Sequence, residues 1–207
     1  MNYPNRHIFI LLFVIVLLGN SCQNPPAEPL PILGEKEVID GETKYHEISD
    51  FKFTNQDGQI ITNETFNNKI YLVDFFFISC QTICPKVAQQ MLRIHDEFES
   101  EDRVKLIAHT IDPKRDTIDR LKWYADKLGV KSDKWHFVTG DKEKLYDMAD
   151  EYFIVAKEDA DAPDGFDHSP TIILVDENRR VRSFCNGTDP EEVDRLIKDV
   201  ETLLNES

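Results

Sequence analysis

The stretch Tyr71–Lys86, YLVDFFFISCQTICPK, decides the fold of this chain. Its first part, Tyr71–Ile78, is apolar except for one aspartate and is rich in aromatic and β-branched side chains. Such a run predicts a β-strand that is buried on both faces. Pro85 then predicts the first turn of a helix, because its missing N–H has no partner to lose there. Cys80 and Cys84 therefore lie on the turn between a buried strand and a helix.

This turn is a favourable place for chemistry. Open α/β sheets carry their sites at the carboxyl ends of the strands. The N-terminus of a helix carries partial positive charge, which favours a thiolate over a thiol. Two such thiols, Cys80 and Cys84, can bind a soft metal ion or cycle through a disulfide bond. The stretch alone leaves both chemistries open.

The composition sets broader limits. With 207 residues, of which 41% are hydrophobic, the chain is long enough for one packed domain with additional segments. A net charge of −15 argues against nucleic acid as a partner, because the phosphate backbone would be repelled. The four cysteines are too few for the disulfide framework of a small secreted protein.

The N-terminal residues resemble a targeting signal. Ile8–Leu18 is an unbroken apolar segment, too short to span a bilayer but suited to the core of a signal peptide. The following residues, LLGNSCQN, resemble a bacterial lipoprotein cleavage site, although Gly19 stands where a larger aliphatic residue is usual. We expect residues 1–21 to be a signal peptide and Cys22 to become the lipidated N-terminus on the cell membrane. The alternatives are an uncleaved anchor and a secreted protein, and all three place the domain outside the cytoplasm.

The remaining chain predicts a tether and one domain. Residues 22–44 contain four prolines and many charges, which is typical of a tether, and the domain covers residues 45–207. Hydrophobic periodicity and turn residues predict first a hairpin (Phe51–Phe53 with Ile60–Thr62), the buried strand and a helix (Pro85–Glu99). A strand (Val104–Ile111), a helix (Thr117–Leu128) capped by Asp116 or Thr117, a strand (Trp135–Val138) and a helix capped by Asp141 follow. The chain then continues with an acidic loop (Lys157–Asp167), two strands (Thr171–Val175 and Val181–Phe184) and a last helix that begins at Asp189. This order is the thioredoxin-like arrangement, a three-layer α/β domain with a central mixed sheet.

Three segments of this arrangement meet at one end of the sheet. They are the turn with Cys80 and Cys84, the loop with Asp112 and the loop with His168. Two thiolates and one imidazole form a soft, three-coordinate site, which suits Cu(I) and also Cu(II) in a trigonal or distorted geometry. Zinc prefers four ligands, and the sequence offers no fourth.

Three motifs resemble the Sco (SenC-like) family of copper chaperones, which is named for the synthesis of cytochrome c oxidase. The motifs are Cys80–Pro85 (CQTICP), Ile111–Thr117 (IDPKRDT) and Asp167–Ser169 (DHS) before a strand. They occur in order and at separations typical of the family, and the resemblance extends from about Tyr45 to the end of the chain.

The resemblance implies a membrane-tethered thioredoxin-like domain that binds copper through Cys80, Cys84 and His168. It implies a supporting role for Asp112 beside the site, without direct ligation. The implied partner is the subunit of cytochrome c oxidase that carries the binuclear copper site. A protein of this kind is a metallochaperone rather than an enzyme.

One departure from the family favours a second interpretation. Pro170 before an apolar strand is similar to the cis-proline of thioredoxin-type oxidoreductases, where Sco proteins often have another residue. This predicts a cis peptide bond packed against the cysteines and an alternative function, a thiol–disulfide reductase with Cys80 and Cys84 as its redox-active pair. Against it, thioredoxin-type pairs have a shorter spacer, and His168 has no required role in thiol exchange. A peroxidase is disfavoured because nothing marks a peroxidatic cysteine.

The other cysteine and histidines of the domain are interpreted as structural. Cys185 lies at the end of a predicted strand and is expected to be a buried, inert thiol. His46, His95, His109 and His136 lie at the edge of the domain, on a helix or next to predicted core residues, and none is expected to be a ligand.

Overall fold

The computed structural model describes residues 28–206 of the chain. The strands are β1 (Lys36–Ile39), β2 (Glu42–Tyr45), β3 (Lys52–Asn55), β4 (Ile60–Thr62), β5 (Ile70–Phe76), β6 (Val104–Thr110), β7 (Trp135–Thr139), β8 (Ala156–Glu158), β9 (Phe166–His168), β10 (Thr171–Val175) and β11 (Val181–Asn186). The α-helices are α1 (Cys84–Glu97), α2 (Ile118–Leu128), α3 (Lys142–Glu151) and α4 (Pro190–Glu206). Cys22 and the predicted signal peptide lie outside the described residues. Within residues 28–206, no helix is long and apolar enough to cross a membrane.

The central sheet is mixed, as predicted. β5 is buried along its whole length, pairs in parallel with β6 and pairs antiparallel with β10. β7 continues the parallel part, while β3, β4 and β11 add antiparallel strands, giving the order β11-β10-β5-β6-β7-β3-β4. The apolar run therefore forms a middle strand, because only a strand covered on both faces can bury every side chain.

Helical layers cover both faces of the sheet. Neighbouring residues of a strand point to opposite faces, and Phe75 and Phe76 in β5 contact different helices. Phe76 stacks on Tyr124 of α2 at 5.7 Å between ring centroids, whereas Phe75 packs at 6.1 Å from Tyr152, at the end of α3. His95 of α1 lies with the aromatic side chains on the α2 face, near Trp135. The predicted three-layer α/β architecture is confirmed.

Two predicted helix ends are correct, whereas the predicted cap of α2 and the predicted acidic loop are wrong. Asp141 caps α3 by accepting a hydrogen bond from the Lys144 N–H at 3.1 Å, and Gly129 ends α2 with φ of 77°. The predicted cap of α2 is wrong, because the Thr117 side chain makes no capping hydrogen bond and the Asp116 carboxylate turns towards the end of β6. The acidic segment 157–167 is also not a simple loop. It contributes to β8 and β9, which pair antiparallel with Lys157 opposite Asp167.

The segment predicted as a tether is partly structured. β1 and β2 form a hairpin whose turn residues, Asp40 and Gly41, have φ values of 54° and 83°. An Asp-Gly pair with two positive φ values is the preferred two-residue hairpin turn. The sequence VIDGETKY therefore contained a hairpin signal. The segment was interpreted as a tether because residues 22–44 are rich in proline and charged residues.

Residues before this hairpin are fixed to the domain by Arg182 of β11. The Arg182 guanidinium donates to the carbonyl oxygens of Leu30 and Pro31 and pairs with the carboxylates of Asp176 and Glu206. Removing one partner of a buried ion pair costs about 3–5 kcal/mol. The described chain is thus attached to the sheet edge from residue 30 onwards.

Candidate metal centre

The cysteine turn follows directly from the end of β5. The Cys80 N–H donates to the Phe77 carbonyl oxygen at 3.1 Å, which closes a tight turn after the strand. α1 then begins at Cys84 with Pro85 in its first turn, as predicted. The Cys84 N–H donates to the Cys80 sulfur at 3.4 Å. A free N–H at the start of the helix therefore points at the first thiol, and this arrangement stabilises a thiolate.

His168 completes a compact group with the two cysteines. Its Nε2 atom lies 3.6 Å from the Cys80 sulfur and 3.6 Å from the Cys84 sulfur. The three potential ligand atoms all lie within 4.8 Å of one another, and both cysteines are buried free thiols. Among the described residues, this is the only group of three or more such side chains that could hold a metal ion. The predicted convergence of the cysteine turn and the His168 segment is present.

The position of His168 depends on the acidic segment. β9 ends at His168, which lies opposite Ala156 of β8. The Nδ1 atom is 3.2 Å from the Phe166 carbonyl oxygen. A carbonyl can only accept, so Nδ1 carries a proton and donates, and Nε2 is the nitrogen that faces the two sulfurs and is available to a metal ion. The Phe77 ring packs edge-on against the imidazole at 5.0 Å and restrains its rotation.

The two thiols have opposite proton affinities. The Cys84 thiol donates to Cys80, and His168, Thr82 and the Cys84 N–H also direct protons at that sulfur, so the pKa of Cys80 is strongly lowered. The neighbouring Cys80 thiolate and burial raise the pKa of Cys84. For His168, burial lowers the pKa, but the hydrogen bonds to Cys80 and the Phe166 carbonyl outweigh it and the pKa is raised. Without metal the pair therefore shares one proton, with the negative charge on Cys80.

Asp112 lies in the loop after β6 and makes no hydrogen bond or ion pair with Cys80, Cys84 or His168. The Asp112 carboxylate pairs with Arg115, whose guanidinium lies 5.8 Å from the centroid of the Phe166 ring. Phe166 in turn holds His168 through its carbonyl oxygen. These contacts link Asp112 to the imidazole through Arg115 and Phe166, and the supporting role of Asp112 stays a prediction.

The remaining cysteine and histidines of the described chain lie outside the group. Cys185 is buried in β11 and burial raises its pKa to about 12. His109 is fully buried among aromatic rings, which lowers its pKa to about 3. His136 contacts Asn55, and His95 pairs with its neighbour Asp96. The Nε2 atom of His46 lies 2.9 Å from a backbone carbonyl oxygen of α3.

The predicted cis-proline is wrong. No cis peptide bond occurs in residues 28–206, so Pro170 follows a trans bond. The Ser169 N–H donates to the Val155 carbonyl oxygen, and the Pro170 carbonyl oxygen accepts from Gly187 at 2.8 Å. These bonds hold the segment extended between β9 and β10. Pro170 therefore does not form the cis bond that the sequence analysis predicted for a reductase.

Sequence reasoning missed several residues around the group. Asp164 accepts a hydrogen bond from the Gln81 N–H at 3.3 Å and so joins the acidic segment to the cysteine turn. Thr82 lies 3.5 Å from the Cys80 sulfur through its hydroxyl oxygen. Asp116 accepts from the Ile78 N–H at 3.1 Å. Thr82 and Asp116 lie within the CQTICP and IDPKRDT motifs, but the sequence indicated no role for Thr82 and a helix cap for Asp116, and Asp164 carried no signal.

The unequal thiols predict unequal alkylation. In the reduced, metal-free protein at pH 7, iodoacetamide should modify Cys80 before Cys84, because only a thiolate is a strong nucleophile. The rate at Cys80 should be nearly independent of pH from about 6 to 9, whereas an ordinary thiol gains about tenfold per pH unit below its pKa. Mass spectrometry of timed digests measures both rates. Cys185, which is buried and has a raised pKa, is the internal control and should react more slowly than Cys80; faster labelling of Cys84 than of Cys80 would contradict the assignment.

Known proteins resemble this chain over most of the described residues. The family model described as SCO1/SenC matches residues 40–205. The SCO1 protein homolog of Bacillus subtilis (strain 168) is 28% identical over 159 residues, covering 76% of this chain and 82% of the relative. A solved structure of BsSco, described as a Sco family cytochrome c oxidase assembly protein with a disulfide switch, has a TM-score of 0.66 at 29% identity and covers 76% of this chain and 93% of its own. Bradyrhizobium japonicum ScoI, solved with copper bound, has a TM-score of 0.57 at 25% identity, and the match covers 72% of this chain and 96% of ScoI.

These matches agree with the motifs and with the order of the elements. They span the cysteine turn, the Asp112 loop and the His168 segment, which all lie within residues 40–205. The chain belongs to the SCO1/SenC family and has its thioredoxin-like fold.

Proposed function

We propose that this protein is a copper chaperone, which binds copper through Cys80, Cys84 and His168 and delivers it to the binuclear copper site of a respiratory cytochrome c oxidase. The observation that carries the proposal is the approach of two thiol sulfurs and one imidazole nitrogen to within 4.8 Å of one another. The relatives add support, since Bradyrhizobium japonicum ScoI was solved with copper bound and BsSco is described as an oxidase assembly protein.

The donor atoms favour copper over the other common metals. Thiolate and imidazole are soft or borderline ligands, and three of them suit Cu(I). A structural zinc site needs a fourth protein ligand, which the group of Cys80, Cys84 and His168 does not include. Calcium and magnesium prefer oxygen ligands, and the nearby Asp112 carboxylate is already paired with Arg115.

The surroundings of the group suit transfer as well as binding. Both sulfurs are buried, whereas Gln81 and Thr82, between the cysteines, are exposed. A partner can therefore approach the exposed part of the turn and replace the ligands one at a time. Because three donors leave copper coordinatively unsaturated, an incoming thiolate or imidazole of the partner can bind before a ligand of this protein leaves. This is the property that a delivery protein requires.

The proposal includes a lipid anchor at Cys22. It is supported by the apolar segment Ile8–Leu18 and the residues LLGNSCQN that follow it. The described domain is fixed from residue 30 onwards by Arg182, so only the few residues after Cys22 would separate the lipid from the folded part. An anchored domain would remain close to a membrane-bound oxidase.

The ligand assignment predicts the effects of single substitutions on copper binding. The reduced full-length protein should bind one Cu(I) per chain, measured by competition with a chromophoric Cu(I) chelator. Cys80→Ala, Cys84→Ala and His168→Ala should each weaken binding strongly, because each removes one of three ligands. Cys185→Ala is the matched control and should bind as the wild type does. Loss of binding in Cys185→Ala, with normal binding in His168→Ala, would show that the ligand assignment is wrong.

A thiol–disulfide reductase is the second candidate function. One specific observation favours it: the lowered pKa of Cys80 beside a second free thiol, which is the arrangement of a reactive dithiol. In this role the protein would reduce the cysteines of a partner's copper site. Both functions need Cys80 and Cys84, so substitutions of the cysteines cannot separate them.

His168 separates the two functions. Imidazole supplies a copper ligand but contributes no electron pair to disulfide exchange, so His168→Ala should abolish maturation of the oxidase copper centre. The same variant should reduce a model disulfide at a rate within a few-fold of the wild type. Copper-centre spectra of the assembled oxidase and reduction of the model disulfide are measured side by side. Normal assembly with His168→Ala would favour the reductase instead.

The anchor is tested separately. Cells given a labelled fatty acid should incorporate it into the wild-type protein and not into Cys22→Ser, because the thioether forms only on cysteine. The variant should also leave the membrane fraction. A Cys22→Ser protein that stays in the membrane and retains residues 1–21 would indicate an uncleaved apolar anchor instead.

A further inference from the structure

Asp116 is a buried carboxylate that the copper ligands do not touch. Its relative exposure is 0%, although it lies in an otherwise polar loop at the start of α2. A carboxylate at this position could cap the helix, as the sequence suggested, but α2 has no side-chain cap. The carboxylate instead turns inward, where a buried charge is costly unless hydrogen bonds satisfy it.

The hydrogen bonds of Asp116 join two separate segments. Its Oδ2 atom accepts from the Thr110 hydroxyl at 2.7 Å, at the end of β6. The same oxygen accepts from the Ile78 N–H at 3.1 Å, in the turn that leads from β5 to Cys80. A third bond, from the Asp116 N–H to the Asp112 carbonyl oxygen at 2.8 Å, fixes the backbone of the loop.

The Oδ1 atom of Asp116 makes no hydrogen bond and faces the Arg120 guanidinium at 3.9 Å. The Asp116 carboxylate is therefore only partly satisfied, and its two hydrogen bonds together link the cysteine turn to the end of β6. Asp112, which shares the same loop, points away and pairs with Arg115. The side chains of the two acids thus have different partners: Asp116 bonds to the cysteine turn, and Asp112 pairs with Arg115, which lies over Phe166.

We propose that Asp116 is the positioning residue of the copper site, holding the Ile78–Cys80 turn so that both sulfurs remain within reach of one metal ion. This inference rests on the proposed copper function. Ile78 is two residues before Cys80, and the Cys80 N–H is bonded to the Phe77 carbonyl oxygen, so a shift of this peptide moves the first sulfur directly. Residues that orient metal ligands typically change metal affinity by about 10–100-fold when they are replaced.

Substitutions of Asp116 in the full-length protein test the proposal. Asp116→Ala removes the acceptor, and Cu(I) affinity should fall by about 10–100-fold. Asp116→Asn keeps an oxygen that can accept from Thr110 and Ile78, and its affinity should stay within a few-fold of the wild type. The matched control is Asp176→Ala, which removes another buried carboxylate, one that organises the turn before β11 and pairs with Arg182. Asp176→Ala should lower the melting temperature and leave copper affinity unchanged.

A second measurement does not depend on copper. Hydrogen exchange of the Ile78 amide in the metal-free protein should accelerate in Asp116→Ala and not in Asp176→Ala, because only the first loses the acceptor of that N–H. If Asp116→Ala does not fold, Thr110→Val replaces it, since it removes the donor that orients the carboxylate. This variant should change both copper affinity and Ile78 exchange in the same direction.

The outcomes separate the two proposals. Failure of the wild type to bind copper would refute the copper function, while fast Ile78 exchange in Asp116→Ala would still show that Asp116 holds the turn. Wild-type copper affinity in a folded Asp116→Ala would overturn the positioning role. Equal loss of affinity in Asp116→Ala and Asp176→Ala would overturn it as well, because general destabilisation would then explain both.

Discussion

The pairing of β5 with β6 on one side and with β10 on the other is the constraint on which the site depends. Parallel pairing with β6 brings the ends of both strands to the same edge of the sheet, so the cysteine turn meets the loop that carries Asp112 and Asp116. Antiparallel pairing with β10 brings the start of that strand to this edge too, and His168 precedes it by three residues. The two pairings of this buried strand therefore bring all three candidate ligands together, although His168 is 84 residues from Cys84.

The sequence was sufficient to predict the features that rest on local patterns. The apolar run at 71–78 predicts β5, and Pro85 after the second cysteine predicts the start of α1, because both signals arise from the residues themselves. The grouping of Cys80, Cys84 and His168 also followed, since the cysteine turn comes after one predicted strand and His168 comes before another. Features that depend on distant contacts were not predictable in this way. β8 and β9 are three residues each and form only because the two segments pair with each other.

Asp116 is a second case in which a contact between distant segments could not be predicted from the local sequence. In the sequence, an aspartate just before a helix is a cap, because that is its commonest local use. In the structure, the carboxylate bonds to Thr110 and Ile78, and the Ile78 contact is 38 positions away in the chain. The hairpin of β1 and β2 is the opposite case: its Asp-Gly turn was a local signal, and the composition of the surrounding segment outweighed it.

The same arrangement explains why copper binding and dithiol chemistry are hard to separate. Cys80 is kept as a thiolate by Cys84 and by the donors around it, and a thiolate is both a metal ligand and a nucleophile. In the proposed copper site, His168 would add a ligand without adding a redox group, so it is the residue by which the two functions can be told apart.

X-ray absorption spectroscopy of the reduced, copper-loaded full-length protein tests this account most directly. It should show Cu(I) bound by two sulfur atoms and one imidazole nitrogen, and the nitrogen contribution should disappear in His168→Ala. A copper ion bound by sulfur alone in the wild type, or a nitrogen contribution that remains in His168→Ala, would contradict the central claim.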